Sequence, residues 1–227
     1  MVVTLIAISL LGLALLCGIA LTSHAPTQYP DQNVLVFGVL AAIDLLGILA
    51  AVSPTGCARS INPVFRRGFA QEDWNDQPRR GYEGHHPPCG EFGSHVITIS
   101  GKKYCAGCTG LVLGAVLSLL GIAFFFGYPG PLPSATLFWL GFSLVFISQL
   151  QPLLVSSGFA RLLFSFCLAF GSLLLLLGVN GLASNLFLDC YCLSLMVFMI
   201  IARTAISRRT HASICSSCGL GSCPLSE

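Results

Sequence analysis

Apolar residues run almost without interruption along most of this chain, and short polar stretches divide it into six segments. About 20 apolar residues suffice for a helix to cross some 30 Å of hydrocarbon, and all six segments approach that length. The short connections between them carry Pro, Gly or Asn turn residues. We therefore predict six transmembrane helices, at about residues 2–21, 34–53, 109–127, 135–155, 162–179 and 182–202. The last connection is so short that the fifth and sixth helices should form an antiparallel hairpin.

The composition agrees with this pattern. Charged residues make up 9% of the chain and the mean hydropathy is +0.83, whereas soluble domains carry about 25% charged residues. Residues 54–108 are the exception, with seven of the eleven basic and five of the nine acidic residues. A polar segment this short needs a staple to fold, as is typical below about 70 residues.

The first apolar segment differs from a secretory signal peptide. No basic residue precedes it, no clear A-x-A cleavage site follows it, and it is longer than the 7–15 residues of a signal h-region. We interpret it as a retained helix.

Every lysine and arginine falls on one side of the predicted topology. Six spans place both termini and the loops 54–108 and 156–161 together, while the opposite loops contain no Lys or Arg. Positive residues near span ends favour the cytoplasm, so we predict a multi-pass protein of the cell membrane with both termini cytoplasmic. Anionic lipid headgroups are the expected partners of these cations, together with another membrane protein or a second copy of the chain, and nothing indicates nucleic-acid binding.

The predicted fold is therefore an all-α membrane protein with six transmembrane helices and a small cytoplasmic loop similar to a zinc ribbon. Residues 1–53 hold two helices, 54–108 the metal-binding loop, 109–203 four helices and 204–227 a Cys-rich cytoplasmic tail.

Soft metal ligands cluster in the cytoplasmic loop. His86, Cys89, Cys105 and Cys108 form an H-x2-C-x15-C-x2-C pattern, close to the spacing of zinc ribbons. Disulfides are disfavoured in the cytoplasm, and zinc takes four thiolate or imidazole ligands in a closed tetrahedral site. The spacing predicts a structural zinc ion as the staple of the loop. A redox pair formed by the two later cysteines, bound iron, and no metal are the alternatives.

The residues between the two ligand pairs alternate in polarity and contain a Ser100-Gly101 turn. This pattern predicts a small β-hairpin that carries one pair towards the other. His85 and His95 are rivals of His86 for the fourth ligand position.

The third span begins next to the last ligand. We expect Cys108 at or just before a helix N-terminus capped by Thr109, where the helix dipole favours a thiolate. Gly110, Gly114 and Ser118 then recur every fourth residue, which predicts close packing against another helix.

The run CAGCTGLVLG resembles the hallmark of a family of small prokaryotic membrane proteins classed as a domain of unknown function. Its members show C-x-R-C-T-G-[IL]-x-x-G at the start of a transmembrane helix, after a Cys-His pair and a strand-like stretch. The match covers about residues 85–121, with Gly107 in place of the family's Arg and a histidine before Cys89 rather than after it. The resemblance implies a membrane protein with a metal site and supplies no activity. The aligned residues are Cys89, Cys105, Cys108, Thr109, Gly110 and Gly114.

A second cluster lies in the tail, where His211, Cys215, Cys218 and Cys223 fall within thirteen residues. It predicts a second metal site, a flexible tail with cysteines available for acylation, or a contribution to the first site.

Two acidic residues lie within apolar segments. Asp44 is mid-span, and Asp189 lies about seven residues inside the sixth predicted span. Intramembrane carboxylates are costly and often mark a pathway. We expect the two at comparable depth, where they could share a proton or line a cavity; alternatively, each is protonated and bonded to a neighbouring helix.

The chain contains no P-loop, no dinucleotide fingerprint, no H-E-x-x-H and no G-x-S-x-G. The sequence favours an assembly, anchoring or regulatory component with structural zinc over an enzyme. A proton- or ion-coupled transporter that uses Asp44 and Asp189, and a membrane thiol oxidoreductase that uses Cys105 and Cys108, are the alternatives.

Overall fold

A computed structural model shows a mostly helical chain. The structure describes residues 2–22, 31–52, 82–83, 90–128, 130, 132–154 and 157–217. Of the candidate ligands, His85, His86, Cys89, Cys218 and Cys223 lie outside the described residues.

Each of the six apolar segments forms a helix. Within the described ranges, five are long and apolar enough to cross a membrane, and the remaining one, α4, is apolar but has 16 residues. A multi-pass membrane protein is therefore consistent with the structure. The helices are α1 (Val2–Thr22), α2 (Gln32–Val52), α3 (Ala106–Gly127), α4 (Ser134–Gln149), α5 (Gly158–Ala183) and α6 (Leu186–Ser217).

Helix α4 is shorter than its apolar segment. It ends at Gln149, and the backbone N–H of Leu150 donates to the Ile147 carbonyl at 3.0 Å, which tightens the last turn. A separate single turn, Gln151–Leu154, follows and contains Pro152. Proline lacks a backbone N–H and interrupts a continuous helix, so the segment predicted as one span is divided here.

Helix α5 lies at the centre of the bundle, with residues 171–180 all buried. It packs along both α3 and α4 and also contacts α1 and α6. Small residues permit the close approach: a Cβ added at Gly171 would lie 2.8 Å from Leu144 Cβ, and one added at Gly178 would overlap the Phe138 backbone. A helix that is apolar on all sides lies in a protein core or spans a membrane, and α5 is the most deeply buried of the candidate spans.

Helices α5 and α6 form the antiparallel hairpin that the sequence predicts. Ser184 adopts a left-handed conformation (φ 45°), and its N–H donates to the Asn180 carbonyl at 2.9 Å. The side chain of Asn185 then accepts the Phe187 N–H at 2.9 Å at the start of α6, a common way to satisfy the first N–H groups of a helix.

Three short strands precede α3. β2 (Val96–Ile99) and β3 (Lys102–Cys105) pair antiparallel, and β1 (Tyr82–Glu83) pairs parallel with β3. The predicted hairpin turn is confirmed, because Ser100 and Gly101 both have positive φ, 51° and 79°, as two-residue hairpin turns of this hand require. A 3-10 helix, Gly90–His95, leads into β2.

The hairpin lies at the end of the bundle where α3 and α5 begin, here named the hairpin end. At the first residue of α5, Gly158, an added Cβ would overlap the Val96 carbonyl oxygen of β2. Backbone therefore packs directly on backbone where the loop meets the helices.

Candidate metal centre

The two cysteines of the C-x-x-C lie where β3 turns into α3. Cys105 is the last residue of β3 and occupies the N-cap position of α3, and Cys108 is the third residue of that helix. Cys105 is still extended (φ −66°, ψ 117°) and Cys108 is helical, so the two cysteines flank the start of α3.

The helix starts earlier than the sequence predicts. Thr109 was expected to cap it, but its hydroxyl lies inside the helix and donates to the Cys105 carbonyl at 2.9 Å. The expectation that Cys108 precedes or opens the helix was wrong by a few residues, because the strand continues into the helix without a turn residue between them.

The surroundings of Cys105 are electropositive. Arg161, in the first turn of α5, interacts electrostatically with Cys105, and the N-terminus of α3 adds a partial positive charge. Both favour the thiolate form, which is the form that binds metals and acts as a nucleophile. Cys105 itself is buried, whereas Cys108 is half-buried.

His95 directly precedes the strand that pairs with Cys105. It is buried at the end of the 3-10 helix, with its ring edge-to-face on Phe92 at 5.7 Å between centroids. The next residue, Val96, pairs with Cys105 across the hairpin. Even so, no group of three or more His, Cys, Asp or Glu side chains that could hold a metal occurs in the part of the chain that the structure describes. His95, Cys105 and Cys108 therefore form no three-ligand site by themselves.

The remaining predicted ligands, His86 and Cys89 with the rival His85, lie outside the described residues. Two cysteines at the start of one helix could supply half of the tetrahedral donor set that zinc takes. The four-ligand zinc site remains a prediction.

The small face of α3 makes the close packing that the sequence predicts. A Cβ added at Gly110 would overlap the Leu162 carbonyl oxygen, and one added at Gly114 would lie 2.8 Å from Ala169 Cβ. Both neighbours belong to α5. The helix that carries the cysteines is thereby fixed against the centre of the bundle.

Helix α6 extends into the tail and includes the first two residues of the second cysteine cluster. That helix continues to Ser217, so the backbone of the tail is helical as far as that residue. His211 and Cys215 are four residues apart, which places them on the same side of the helix. Their side chains, like Cys218 and Cys223, are outside the described residues, and the second metal site remains a prediction.

The two intramembrane acids lie far apart, contrary to the expectation of comparable depth. Because α6 begins at Leu186, Asp189 falls in its first turn rather than seven residues inside the span. It bonds to Gln32, the first residue of α2, and Asp44 lies twelve residues further along α2, about 18 Å at 1.5 Å per residue. The two carboxyl groups cannot share a proton or one cavity.

Asp44 instead faces α3, where Ser118 is the interacting side chain. Both side chains are buried, and neither the Asp44 Oδ2 atom nor the Ser118 hydroxyl has a hydrogen-bond partner of good geometry among the described residues. Ser118 thus faces α2, while Gly110 and Gly114 pack against α5.

Two polar residues that the sequence analysis missed complete the surroundings of Asp189. Gln32 donates from Nε2 and Asn180 donates from Nδ2, each to Asp189 Oδ2 at 2.9 Å. In the sequence, Gln32 and Asn180 are amide residues at the ends of two apolar segments. Such a position is typical of a turn residue, and only the fold shows that both lie next to Asp189.

The sequence analysis also missed a structural contact of Arg203. Its two terminal nitrogens donate to the Phe164 carbonyl at 3.3 Å and the Ser165 hydroxyl at 3.4 Å. The contact ties α6 to α5 near Arg161, so two arginines from different helices meet at the hairpin end.

No protein-family model, no curated protein and no solved structure matches this chain. The resemblance to the family with the C-x-R-C-T-G run therefore rests on the quoted residues alone.

Proposed function

We propose that this chain is a multi-pass membrane protein in which a zinc ion fastens the loop that ends at Cys108 to the helical bundle. The observation that carries the proposal is that Cys105, at the N-cap of α3, and Cys108, in its first turn, lie where a β-hairpin packed on α5 runs into α3. His86 and Cys89 would complete the tetrahedron. The protein would serve as an assembly, anchoring or regulatory component without chemistry of its own.

The zinc ion would stabilise the folded state of the loop. The hairpin has two strands of four residues each, and isolated hairpins of that size are marginally stable in water. A structural zinc site contributes its binding free energy to folding. The loop would then present a fixed surface to a partner at the hairpin end.

The same reasoning orients the protein. The described cations Lys103, Arg161, Arg203, Arg208 and Arg209 lie on β3, in the first turn of α5 and in the second half of α6. The bonds from Arg203 to Phe164 and Ser165 bring that half of α6 to the start of α5. Positive residues favour the cytoplasmic side, so we place the hairpin end in the cytoplasm of a cell membrane, where anionic headgroups would bind the cations.

The number of crossings depends on α4. Its 16 residues reach about 24 Å at 1.5 Å per residue, somewhat less than a typical hydrocarbon core. Together with the turn Gln151–Leu154 it would complete a sixth crossing and keep both termini cytoplasmic.

A thiol oxidoreductase is the second candidate, because one observation favours it. Arg161 and the N-terminus of α3 favour the thiolate form of Cys105, while its burial opposes that form. For the third candidate, a transporter, the separation of Asp44 from Asp189 removes the shared proton on which it was based.

Metal analysis of the purified chain tests the proposal. We expect about one zinc per chain in the wild type and almost none in Cys105→Ser or Cys108→Ser, because a site with three ligands loses most of its affinity. Cys167→Ser, a buried cysteine within α5, is the matched control and should keep the metal. A metal-free wild type with a reversible Cys105–Cys108 disulfide would reject zinc and favour the oxidoreductase.

A further inference from the structure

A buried carboxyl group joins three helices at the end of the bundle opposite the hairpin end. Asp189 of α6, Gln32 of α2 and Asn180 of α5 are 0%, 3% and 4% exposed. The Oδ2 atom of Asp189 accepts one N–H from each amide at 2.9 Å. This single oxygen therefore connects α2, α5 and α6.

Two oxygen atoms of the same cluster lack a donor. Among the described residues, neither Asp189 Oδ1 nor Gln32 Oε1 has a hydrogen-bond partner, and both are fully buried. An unsatisfied buried acceptor is costly, so such an atom calls for an explanation. Both atoms are acceptors, so bonding them to each other requires a donor that an ionised carboxylate and an amide oxygen do not have.

No positively charged side chain of the described bundle compensates Asp189. The next cation along α6 is Arg203, fourteen residues further, about 21 Å along the helix axis. On α5, Arg161 lies nineteen residues before Asn180, about 28 Å away. The titratable neighbours are Cys192, buried on the same helix, and Asp31, which precedes Gln32 and is exposed; neither is a cation.

A proton fits this cluster better than a metal ion. Hard cations such as Ca²⁺ or Mg²⁺ take about six or more oxygen ligands, whereas two oxygens lack partners here. A proton on Asp189 Oδ1 would remove the negative charge and turn that atom into a hydrogen-bond donor. Gln32 Oε1, which has no donor, would be its acceptor. The amide N–H of Gln32 already bonds the other oxygen of the same carboxyl group.

We propose that Asp189 is a proton-binding site that keeps its proton at neutral pH and forms a closed acid–amide pair with Gln32. In this pair Gln32 donates to Oδ2 and accepts from Oδ1, while Asn180 donates to Oδ2 as a third member. The proton is a structural element that fastens α2 to the α5–α6 hairpin, and it does not move along a pathway.

Infrared spectroscopy of the purified protein at neutral pH tests this pair. The experiment uses the Asp44→Asn variant as background, which leaves Asp189 as the one carboxyl group within the six helices. We expect a carboxylic-acid C=O band that shifts in D2O and disappears when Asp189→Asn is added. Gln32→Leu should move the band to higher frequency, because the acid loses its acceptor, and this variant serves if Asp189→Asn fails to fold.

Two controls identify other sources of neutralisation. His24 is the one histidine in the segments that precede α2, and His24→Ala should leave the band unchanged. If no carboxylic-acid band that depends on Asp189 is present at neutral pH, the proposal is overturned. It is also overturned by an acid band that appears only in His24→Ala, because the His24 cation would then neutralise an ionised Asp189. A melting temperature that rises with added Na⁺ or Ca²⁺ in the wild type but not in Asp189→Asn would overturn it as well.

Stability gives a second readout. Asparagine has the shape of the neutral acid and carries a donor for Gln32 Oε1, so Asp189→Asn should melt within a few degrees of the wild type, whereas Asp189→Leu should melt far lower. Equal losses in the two variants would mean that the negative charge itself is required, and would contradict the proposal.

Discussion

Replacing Gly110 with alanine is expected to lower the free energy of unfolding by about 3 kcal/mol or more, the upper range for overpacking a tight interface. The added Cβ would overlap the Leu162 carbonyl oxygen, which belongs to the backbone of α5. A backbone atom cannot rotate away as a side chain can, so the two helices must separate along the contact. Unfolding of the purified protein in detergent, by heat or by denaturant, measures the loss.

Gly38→Ala is the matched control for this substitution. Gly38 lies within α2, and an added Cβ would meet nothing within 4 Å. Alanine is the better helix former by about 1 kcal/mol in water, so Gly38→Ala should be neutral or slightly stabilising. If Gly110→Ala were as stable as Gly38→Ala, the close packing of α3 on α5 would be refuted.

Removing the proposed zinc ion with a chelator is expected to release the hairpin while the helices stay folded. Structural zinc contributes about 10–16 kcal/mol in zinc-finger peptides, and a hairpin of two four-residue strands is marginally stable by itself. Amide hydrogen exchange of Val96–Ile99 and Lys102–Cys105 should accelerate by at least about a hundredfold, which corresponds to nearly 3 kcal/mol of local stability. Exchange in the buried part of α5, residues 171–180, should not change.

Two outcomes would speak against the staple. If the strands exchanged at the same rate with and without chelator, the hairpin would be held by its contacts with α5 alone. If α5 also accelerated, the metal would support the whole bundle rather than the loop. Washing the chelated protein and adding zinc back should restore protection, which separates metal removal from damage.

Local patterns were sufficient to predict the positions of the helices and the hairpin. Long apolar segments in lipid have few alternatives to helix, and Ser100-Gly101 supplies the residue types that a two-residue turn needs. The spacing of Gly110 and Gly114 likewise indicated a close helix contact. These features depend on residues near one another in the chain, which is why the sequence alone contains them.

The helix boundaries near functional residues were harder to predict. Pro152 divides the fourth apolar segment, yet apolar residues continue on both sides of it. At Cys105 the strand passes directly into α3, and Thr109, which resembles a cap, bonds within the first turn instead. Side-chain chemistry gave no signal that distinguishes a cap from a helix interior at that position.

The contacts of Asp189 depend on the tertiary fold. Gln32 is 157 positions away from it in the chain, and the two meet because α2 and α6 start at the same end of the bundle. The prediction that Asp44 and Asp189 lie at comparable depth was wrong for the same reason. A shift of a few residues at the start of α6 moves Asp189 by a full turn. Depth in a bundle follows from helix ends, which sequence patterns define poorly.

Zinc-edge X-ray absorption of the purified wild-type protein is the most direct test of the metal centre. The account predicts three sulfur ligands at about 2.3 Å and one imidazole nitrogen at about 2.0–2.1 Å, and no bound zinc in Cys105→Ser/Cys108→Ser. A protein without zinc, or a zinc ion bound by oxygen and nitrogen alone, would contradict it.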